Sequence, residues 1–173
     1  MIYTYNSRKP KITMPAFIAE SAEIIGDIQI DEDASVWFNT VIRGDVNSIK
    51  IGKKTNIQDG CVIHVSEQFP TIIGEGVTVG HGVIIHAATV NDYCLIGMGS
   101  RILDGAEIGK YSLVAAGSVV LQNVRIPEGV LVAGMPAKIL RPLTDNERKA
   151  LIESANNYVN YARSFQHLII ERK

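Results

Sequence analysis

Three of the four histidines in this 173-residue chain lie within a short stretch of sequence, at His64, His81 and His86. Imidazole is a common ligand of zinc, iron(II) and cobalt, and three imidazoles leave one coordination position free for water. The four-residue gap between His81 and His86 is by itself a weak signal, because a lone histidine is more often a packing residue. The three together indicate a metal site if the fold brings them near one ion.

Ile or Val recurs at every sixth position along most of the chain. The period runs unbroken from Val90 to Val132 and is also present in earlier stretches that begin at Ile18, Ile51 and Ile73. Six residues suit a triangular coil of three short strands, each with one inward side chain, better than a helix or an alternating strand. Stacked coils pair as parallel sheets. Nineteen such positions predict an all-β fold, a parallel β-helix of about six coils over residues 12–140.

The period is interrupted in the two segments that flank the first histidine. Three residues are added between positions 42 and 51, and four between positions 63 and 73, the latter within residues 66–70. We expect both insertions to form protruding loops. Between positions 85 and 90 the step is one residue short, which predicts a tightened corner.

The C-terminal residues 144–169 have the pattern of an α-helix. Thr144 followed by Glu147 is a capping box, which marks a helix N-terminus. Apolar residues then recur at helical spacing, as expected for a helix that packs along the β-helix within one domain of residues 1–173: Leu151, Ala155, Tyr158, Ala162, Phe165 and Ile169.

The repeat aligns two of the histidines. His64 directly follows Ile63, and His86 directly follows Ile85, one coil later along the chain. The two side chains should therefore stack in one column, about 4.8 Å apart at the backbone. Arg43 occupies the same column one coil earlier.

His81 falls on a different part of the triangle. It lies two residues after Val79, so a corner and a face separate it from His64 and His86. A threefold axis parallel to the β-helix would bring the His81 wall of one chain against the other wall of its neighbour. We therefore expect a homotrimer with one metal ion per chain, and each ion is bound at a subunit interface.

Short motifs around these histidines resemble the γ-class carbonic anhydrase family of hexapeptide-repeat proteins, and the resemblance covers nearly the whole chain. The matching segments share both order and spacing with that family: Val41-Ile42-Arg43-Gly44-Asp45, Thr55-Asn56-Ile57-Gln58-Asp59-Gly60, His64, Gly80-His81-Gly82 and His86.

The resemblance implies a left-handed coil and a specific chemistry. His64 and His86 of one subunit and His81 of the next would bind Zn²⁺, or Fe²⁺ or Co²⁺, and a metal-bound hydroxide would convert CO2 reversibly to bicarbonate. Further roles are implied for polar residues near the histidines. Gln58 and Asn56 would orient the hydroxide, and Tyr158 of the helix would lie near the site. The remaining residues would form an ion-pair network at the interface: Arg43, Asp45 and Asp59.

The chain departs from the family prototype at two positions that bear on proton export. Val46 stands where the prototype has a glutamate, and the prototype's long acidic loop is reduced to residues 65–71. Glu67 is the acidic residue in that short segment and is a weak candidate for a proton shuttle.

Three alternative functions stay open: a metal-dependent acyl-CoA thioesterase, a hexapeptide-repeat acyltransferase and a non-enzymatic assembly protein.

Composition excludes several classes of partner. The formal net charge is −1 and no long run of like charges occurs, so we expect neither nucleic acid nor membrane as a partner. The first 14 residues lack the continuous apolar stretch of a signal peptide. Two cysteines, Cys61 and Cys94, are too few for a disulfide framework and suggest buried thiols in the cytoplasm.

Overall fold

A computed structural model describes residues 1–165 as a three-sided parallel β-solenoid followed by one α-helix. Each turn of the chain contributes one short strand to each face. Strands in register on successive turns form the faces as parallel sheets. The predicted fold class, a parallel β-helix with a C-terminal helix, is confirmed.

The first and second faces are joined because two long strands bend around the corner between them. The first face contains β1 (Ile2–Tyr3), the start of β4 (Glu23–Ile30), the start of β6 (Val41–Ile51), β8 (Val62–His64), β11 (Ile84–His86), β14 (Arg101–Ile102) and β17 (Val119–Val120). The second face contains β2 (Lys11–Ile12), the ends of β4 and β6, β9 (Thr71–Ile73), β12 (Thr89–Val90), β15 (Glu107–Ile108) and β18 (Arg125–Ile126).

The third face is a separate sheet, which one antiparallel strand extends at its end. It contains β3 (Phe17–Ile18), β5 (Ser35–Val36), β7 (Asn56–Ile57), β10 (Thr78–Val79), β13 (Leu95–Ile96), β16 (Leu113–Val114) and β19 (Val130–Ala133), and then the antiparallel β20 (Lys138–Pro142).

The solenoid has about seven turns, one more than the six-residue period predicts. The extra turn lies at the N-terminus, where Ile2 pairs with Ile24 and Ile12 pairs with Ile30. Ten residues separate Ile2 from Ile12, and Ile2 is half exposed at the end of the solenoid. The six-residue hydrophobic period is therefore not kept in the N-terminal turn, which has a neighbouring turn on one side only.

The inward side chains form a continuous aliphatic core. Ile63, Ile85 and Ile102, on three successive turns of the first face, are all fully buried. Burial of each such side chain stabilises the fold by about 1.5–3 kcal/mol relative to leaving it exposed. Because every turn contributes the same layer, a slip of one residue between strands would turn a buried isoleucine or valine outward.

Of the two expected insertions, one is a loop and the other is a bulge. Residues 66–70 form a loop between β8 and β9, as predicted. The other extra residues remain within β6, where the pairing with β4 shifts at Asp27. Asp45 and Asn47 accept hydrogen bonds from the next backbone N–H groups, at 3.1 and 2.8 Å. These bonds satisfy unpaired donors, so the strand absorbs the insertion without leaving the sheet. The shortened step before Val90 is closed by Ala87 in a left-handed conformation, with φ of 53°.

Helix α1 (Asp145–Phe165) begins at the predicted capping box. The Thr144 N–H donates to Glu147 Oε2 at 2.8 Å, and the Glu147 N–H donates to Thr144 Oγ1 at 3.3 Å. The helix lies against β3, β5, β7 and β10 of the third face. Its buried residues are Leu151, Ala155, Val159 and Ala162.

Val159 therefore belongs to the packed stripe, although the sequence pattern placed the neighbouring Tyr158 there. Tyr158 is partly buried at the edge of the core and contacts Trp37 edge to face. The predicted continuation of the helix to Ile169 lies outside the described residues. Within residues 1–165, no helix is long and apolar enough to cross a bilayer.

Candidate metal centre and adjoining groove

His64 and His86 face each other on adjacent turns of the first face. They are register partners in the pairing of β8 with β11, so the predicted column is present. Nδ1 of His64 lies 3.1 Å from Nε2 of His86, and the ring centroids are 5.1 Å apart. Arg43 directly follows Ile42, the register partner of Ile63, and so continues the column one turn earlier.

The other ring nitrogen of His64 is held by Asp45 from the β6 bulge. Nε2 lies 2.9 Å from Asp45 Oδ1, and Arg43 Nη1 pairs with Asp45 Oδ2. Burial by itself would raise the pKa of Asp45, but the hydrogen bonds from His64 and Arg43 outweigh it and hold the pKa below its ordinary value. Asp45 is therefore a carboxylate at neutral pH, and the nitrogen facing it must donate the hydrogen bond.

The other ring nitrogen of His86 is held by Asp104. Nδ1 of His86 lies 2.6 Å from Asp104 Oδ1. The sequence motifs did not mark this aspartate. Its place in the repeat could have indicated it, because it stands two residues after Ile102, one turn beyond Ile85, and so lies beside the histidine column.

These contacts leave two imidazole lone pairs that point at each other. A neutral imidazole has one N–H, and in both rings a carboxylate takes that donor. Nδ1 of His64 and Nε2 of His86 are then both acceptors, 3.1 Å apart. Two imidazole nitrogens on one tetrahedral zinc ion are about 3.3 Å apart, from Zn–N bonds of about 2.0–2.1 Å. The spacing of these two nitrogens therefore suits two ligands of one cation.

His81 lies at the corner that follows the third face, away from this pair. Its Nδ1 is 2.9 Å from Asp59 Oδ2, and its side chain is half exposed. Gly80 precedes it, and a Cβ there would lie 2.9 Å from the backbone nitrogen of Met98, so the adjacent turn can approach only a glycine. Among the described residues, no three His, Cys, Asp or Glu side chains of one chain converge on a single point.

A groove of about 460 Å³ opens beside His81, between the third face and α1. At one end it is lined by polar groups of Gln58, Ser154 and Tyr158. The rest of its lining is mainly apolar or small residues of later turns: Leu95, Ile96, Gly97, Met98, Leu113, Val114, Ala115 and Ala116. The groove therefore offers an apolar channel that ends at a histidine and an amide.

A chain of hydrogen bonds fixes that amide. Gln58 Nε2 donates to Asn56 Oδ1 at 3.0 Å, and Asn56 Nδ2 donates to Thr78 Oγ1 at 3.1 Å. Thr78 in turn lies 2.9 Å from the Ser154 hydroxyl of the helix. Because Asn56 and Gln58 are buried, these bonds offset the cost of removing two amides from water and leave Gln58 in one orientation.

Tyr158 and Asp59 lie near this end of the groove. Burial raises the pKa of the Tyr158 hydroxyl, and the negative charge of Asp59 raises it further. Tyr158 is therefore a neutral hydroxyl at neutral pH, able to donate or accept a hydrogen bond.

The two cysteines take no part in the site. Both are buried and free, and burial raises the pKa of each thiol to about 12. Cys61 donates to the Gly80 carbonyl and Cys94 to the Gly109 carbonyl, both at 3.1 Å. They are packing residues of the core, and the candidate ligands are imidazoles.

Comparisons with known proteins identify the family of this chain. Residues 87–122 match the family model described as "Bacterial transferase hexapeptide (six repeats)". The carbonic anhydrase of Geobacillus kaustophilus is 49% identical over 172 residues, which cover 99% of this chain and 94% of that protein. The chain belongs to the γ-class carbonic anhydrase family.

Two further relatives are similar over most of this chain. A probable carbonic anhydrase of Methanocaldococcus jannaschii is 51% identical over 86% of this chain and 94% of its own length. Gamma carbonic anhydrase 2, mitochondrial, of Arabidopsis thaliana is 44% identical over 95% of this chain, and the match spans 64% of that longer protein.

Solved structures show a likeness in fold as well. A hexapeptide transferase family protein from Anaplasma phagocytophilum superposes with a TM-score of 0.92 and 42% identity, over 95% of this chain and 98% of that one. The N-acyltransferase AntD of Bacillus cereus superposes with a TM-score of 0.71 at 14% identity, over 87% of this chain and 90% of that one, which shows a shared fold alone.

The short loop of this γ-class carbonic anhydrase family member is tied to the β6 bulge. Asn47 Nδ2 donates to the carbonyl oxygens of Ser66 and Glu67, both at 3.2 Å. The Phe69 N–H donates to Ser66 Oγ at 3.2 Å. The backbone at Glu67, the weak shuttle candidate, is therefore anchored to the same bulge that carries Asp45.

Proposed function

We propose that this protein is a carbonic anhydrase that interconverts CO2 and bicarbonate at a metal centre shared between neighbouring subunits. The observation that carries the proposal is the pair His64 and His86, whose facing nitrogens are 3.1 Å apart while carboxylates hold the opposite nitrogens. Membership of the family supports the same reaction.

His64 and His86 of one subunit, with His81 of the partner subunit, would hold one ion per chain. An all-imidazole donor set suits zinc, cobalt or iron(II), and zinc is the first candidate. The bound ion would act as a Lewis acid, which lowers the pKa of water to about 7 and makes a nucleophile available at neutral pH.

A homotrimer would complete this set. His81 lies at the corner after the third face, whereas His64 and His86 lie at the end of strands of the first face. A threefold axis parallel to the solenoid brings these two walls of neighbouring chains together and closes the ring. Asp59 and the pair Arg43–Asp45 would then approach one another across the interface.

The chain's own residues supply orientation and exclude water. Gln58, fixed by Asn56, presents its amide at the polar end of the groove and directs the attacking oxygen toward carbon. The apolar walls admit CO2, which has no charge to solvate, and favour it over bulk water. Hydration of CO2 by one water molecule yields bicarbonate and one proton, so each turnover must also deliver a proton to solvent.

A second candidate function is hydrolysis of acyl-CoA thioesters by the same centre. The groove of about 460 Å³ is larger than a three-atom substrate requires, and its apolar walls could bind an acyl chain. A hexapeptide-repeat acyltransferase and a non-enzymatic assembly role are less favoured, since neither requires carboxylate-held histidines with facing nitrogens. For the location, we propose a reducing compartment such as the cytoplasm, because both cysteines are free and buried.

Stopped-flow hydration of CO2 by the zinc-loaded protein, alongside a panel of thioesters, tests the proposal. We expect hydration by the wild type and a loss of about 10²-fold in kcat/KM for Gln58→Ala, the usual effect of removing an orienting hydrogen bond. Gln29→Ala is the matched control, because Gln29 lies on the second face and, within residues 1–165, its side chain hydrogen bonds only Asp31. Rapid thioester hydrolysis without CO2 hydration would replace the first function with the second.

A further inference from the structure

Each of the three candidate ligands has a carboxylate of its own chain beside it, and His64 and His86 are hydrogen bonded to theirs. The pairs are His64 with Asp45 at 2.9 Å, His81 with Asp59 at 2.9 Å, and His86 with Asp104 at 2.6 Å. Asp45 and Asp59 belong to motifs that the sequence already marks, and Asp104 does not. Its contact is nevertheless the shortest of the three.

We propose that Asp104 is a positioning residue that fixes the tautomer and direction of His86 before any metal binds. This inference rests on the proposed function, in which Nε2 of His86 is a metal ligand. Asp104 acts through the histidine and does not contact substrate.

The backbone places this carboxylate with little freedom. The Gly105 N–H donates to the carbonyl of Ala87, the residue directly after His86, at 2.8 Å, and the Asn123 N–H donates to the Asp104 carbonyl at 2.9 Å. Gly105 adopts φ of 68°, a left-handed corner that glycine adopts without strain. The corner that carries Asp104 is thus hydrogen bonded to the corner that carries His86.

The contact itself is strong and partly shielded. The side chain of Asp104 is 26% exposed and that of His86 is 36% exposed. An N–H that donates to an ionised carboxylate forms a shorter and stronger bond than one between neutral groups. The proton of neutral His86 is therefore held at Nδ1, and Nε2 keeps its lone pair.

This tautomer prevents a competing interaction between the two histidines. If Nε2 of His86 carried the proton, it could donate to Nδ1 of His64, only 3.1 Å away. That hydrogen bond would occupy both metal-facing nitrogens, and an incoming ion would have to break it. Asp104 removes this possibility by holding the proton on the opposite side of the ring, which preorganises the donor pair.

The test compares the wild type with Asp104→Ala and Asp104→Asn in the assembled protein. Nitrogen-15 NMR of the metal-free protein reports which ring nitrogen of His86 is protonated, and competition with a chelator gives the zinc affinity. We expect protonation at Nδ1 in the wild type and a shift toward Nε2 in Asp104→Ala, with zinc affinity lower by about 10–100-fold. Asp104→Asn retains an acceptor oxygen but not the charge, so it should keep the Nδ1 tautomer and bind zinc about 10-fold more weakly.

Glu107→Ala is the matched control, since this nearby carboxylate faces Arg125 on the second face and should change neither measurement. An unaltered tautomer in Asp104→Ala would overturn the proposal, even if zinc affinity fell, because a merely structural residue could lower affinity. If Asp104→Ala does not fold, Asp104→Asn decides, and wild-type zinc affinity in that variant would overturn the proposal.

Neither measurement involves CO2. A wild type that shows the Nδ1 tautomer and binds zinc but does not hydrate CO2 would refute the proposed function and leave the role of Asp104 standing. A wild type with His86 protonated at Nε2 would refute the role of Asp104 whether or not CO2 is hydrated.

Discussion

His64 Nδ1 and His86 Nε2 lie 3.1 Å apart on adjacent turns of the solenoid. The pairing of β8 with β11 places the two residues in register, so this separation follows from the repeat itself and not from a flexible loop. Because carboxylates hold the opposite nitrogens, the pair resembles two ligands of an ion that one chain cannot fully enclose.

Removal of either facing histidine should abolish stable metal binding. We expect about one ion per chain in protein purified without chelator, and little or none in His64→Ala or His86→Ala, because three ligands are the minimum for an open tetrahedral site. Elemental analysis by mass spectrometry measures the content. Wild-type protein that contains no metal and takes up no zinc in a titration would contradict the enzymatic function.

Two inactive variants should restore each other when they assemble together. His81→Ala and His64→Ala homotrimers each lack every complete site. In a mixed trimer, one junction joins the intact His64 and His86 of a His81→Ala chain to the intact His81 of a His64→Ala chain. We therefore expect bound metal and activity to recover partly when the two variants are unfolded and refolded together.

The control for this experiment is each variant refolded alone, which should recover nothing. Subunit exchange must be verified separately, by mass spectrometry of differently tagged chains. If exchange occurs without any recovery, the three histidines act within one chain and the prediction of a shared site is wrong.

Hydration of CO2 should depend on external buffer. Glu67 is the acidic residue within 65–71, and Asn47 anchors the backbone carbonyls of both Ser66 and Glu67. If Glu67 is a poor shuttle, buffer molecules must remove the proton released at the site. Turnover should rise with imidazole concentration at fixed pH and constant ionic strength. Fast turnover in dilute buffer that does not respond to added imidazole would reveal another shuttle.

Neighbouring isoleucines of β9 should differ greatly in their effect on stability. Ile73 points inward and is 1% exposed, whereas Ile72 points outward and is 40% exposed. Ile73→Ala removes packed atoms and leaves a cavity, so we expect it to lower the free energy of unfolding by about 2–5 kcal/mol. Ile72→Ala should cost about 1 kcal/mol or less. Urea denaturation at one protein concentration measures both, and equal losses would contradict the inward and outward assignment.

The capping box should make helix stability depend on pH in the acid range. Arg141 and then Thr144 hydrogen bond to Glu147 and lower the pKa of that carboxyl from 4.5 to about 2. Because the folded-state pKa lies below the unfolded value, the stabilisation is complete above about pH 4.5 and is lost as pH falls toward about 2. Both side chains are substantially exposed, so the effect should be small.

Glu147→Gln tests this dependence, because glutamine can still form the capping hydrogen bonds but carries no charge. We expect the wild type to be the more stable protein near neutral pH, and the difference to shrink as pH falls through that range in thermal unfolding. In an Arg141→Gln background, Glu147→Gln should change stability less at neutral pH, since the charged partner of Glu147 is absent. A difference that is constant with pH would contradict the assigned cause.

Local repetition made much of this protein predictable from its sequence. One inward residue every six positions determines the faces, and counting along that period places His64 and His86 in one column and His81 on another wall. The capping box at Thr144 could also be recognised locally, because both of its hydrogen bonds join residues only three apart. In a solenoid each turn contacts only its neighbours, so sequence distance translates directly into position.

The tertiary structure alone decided features that depend on contacts between turns. The insertion before Ile51 became a bulge because the side chains of Asp45 and Asn47 satisfy its backbone, and Val159 is the buried residue of the helix while the neighbouring Tyr158 packs at the edge of the core. Asp104 lies 18 residues from His86 in sequence, and no periodic pattern specifies which ring nitrogen it meets. The inward period is set by hydrophobic burial, which sums over many residues, whereas the direction of each imidazole is set by one hydrogen bond whose partner is known only once the turns are stacked.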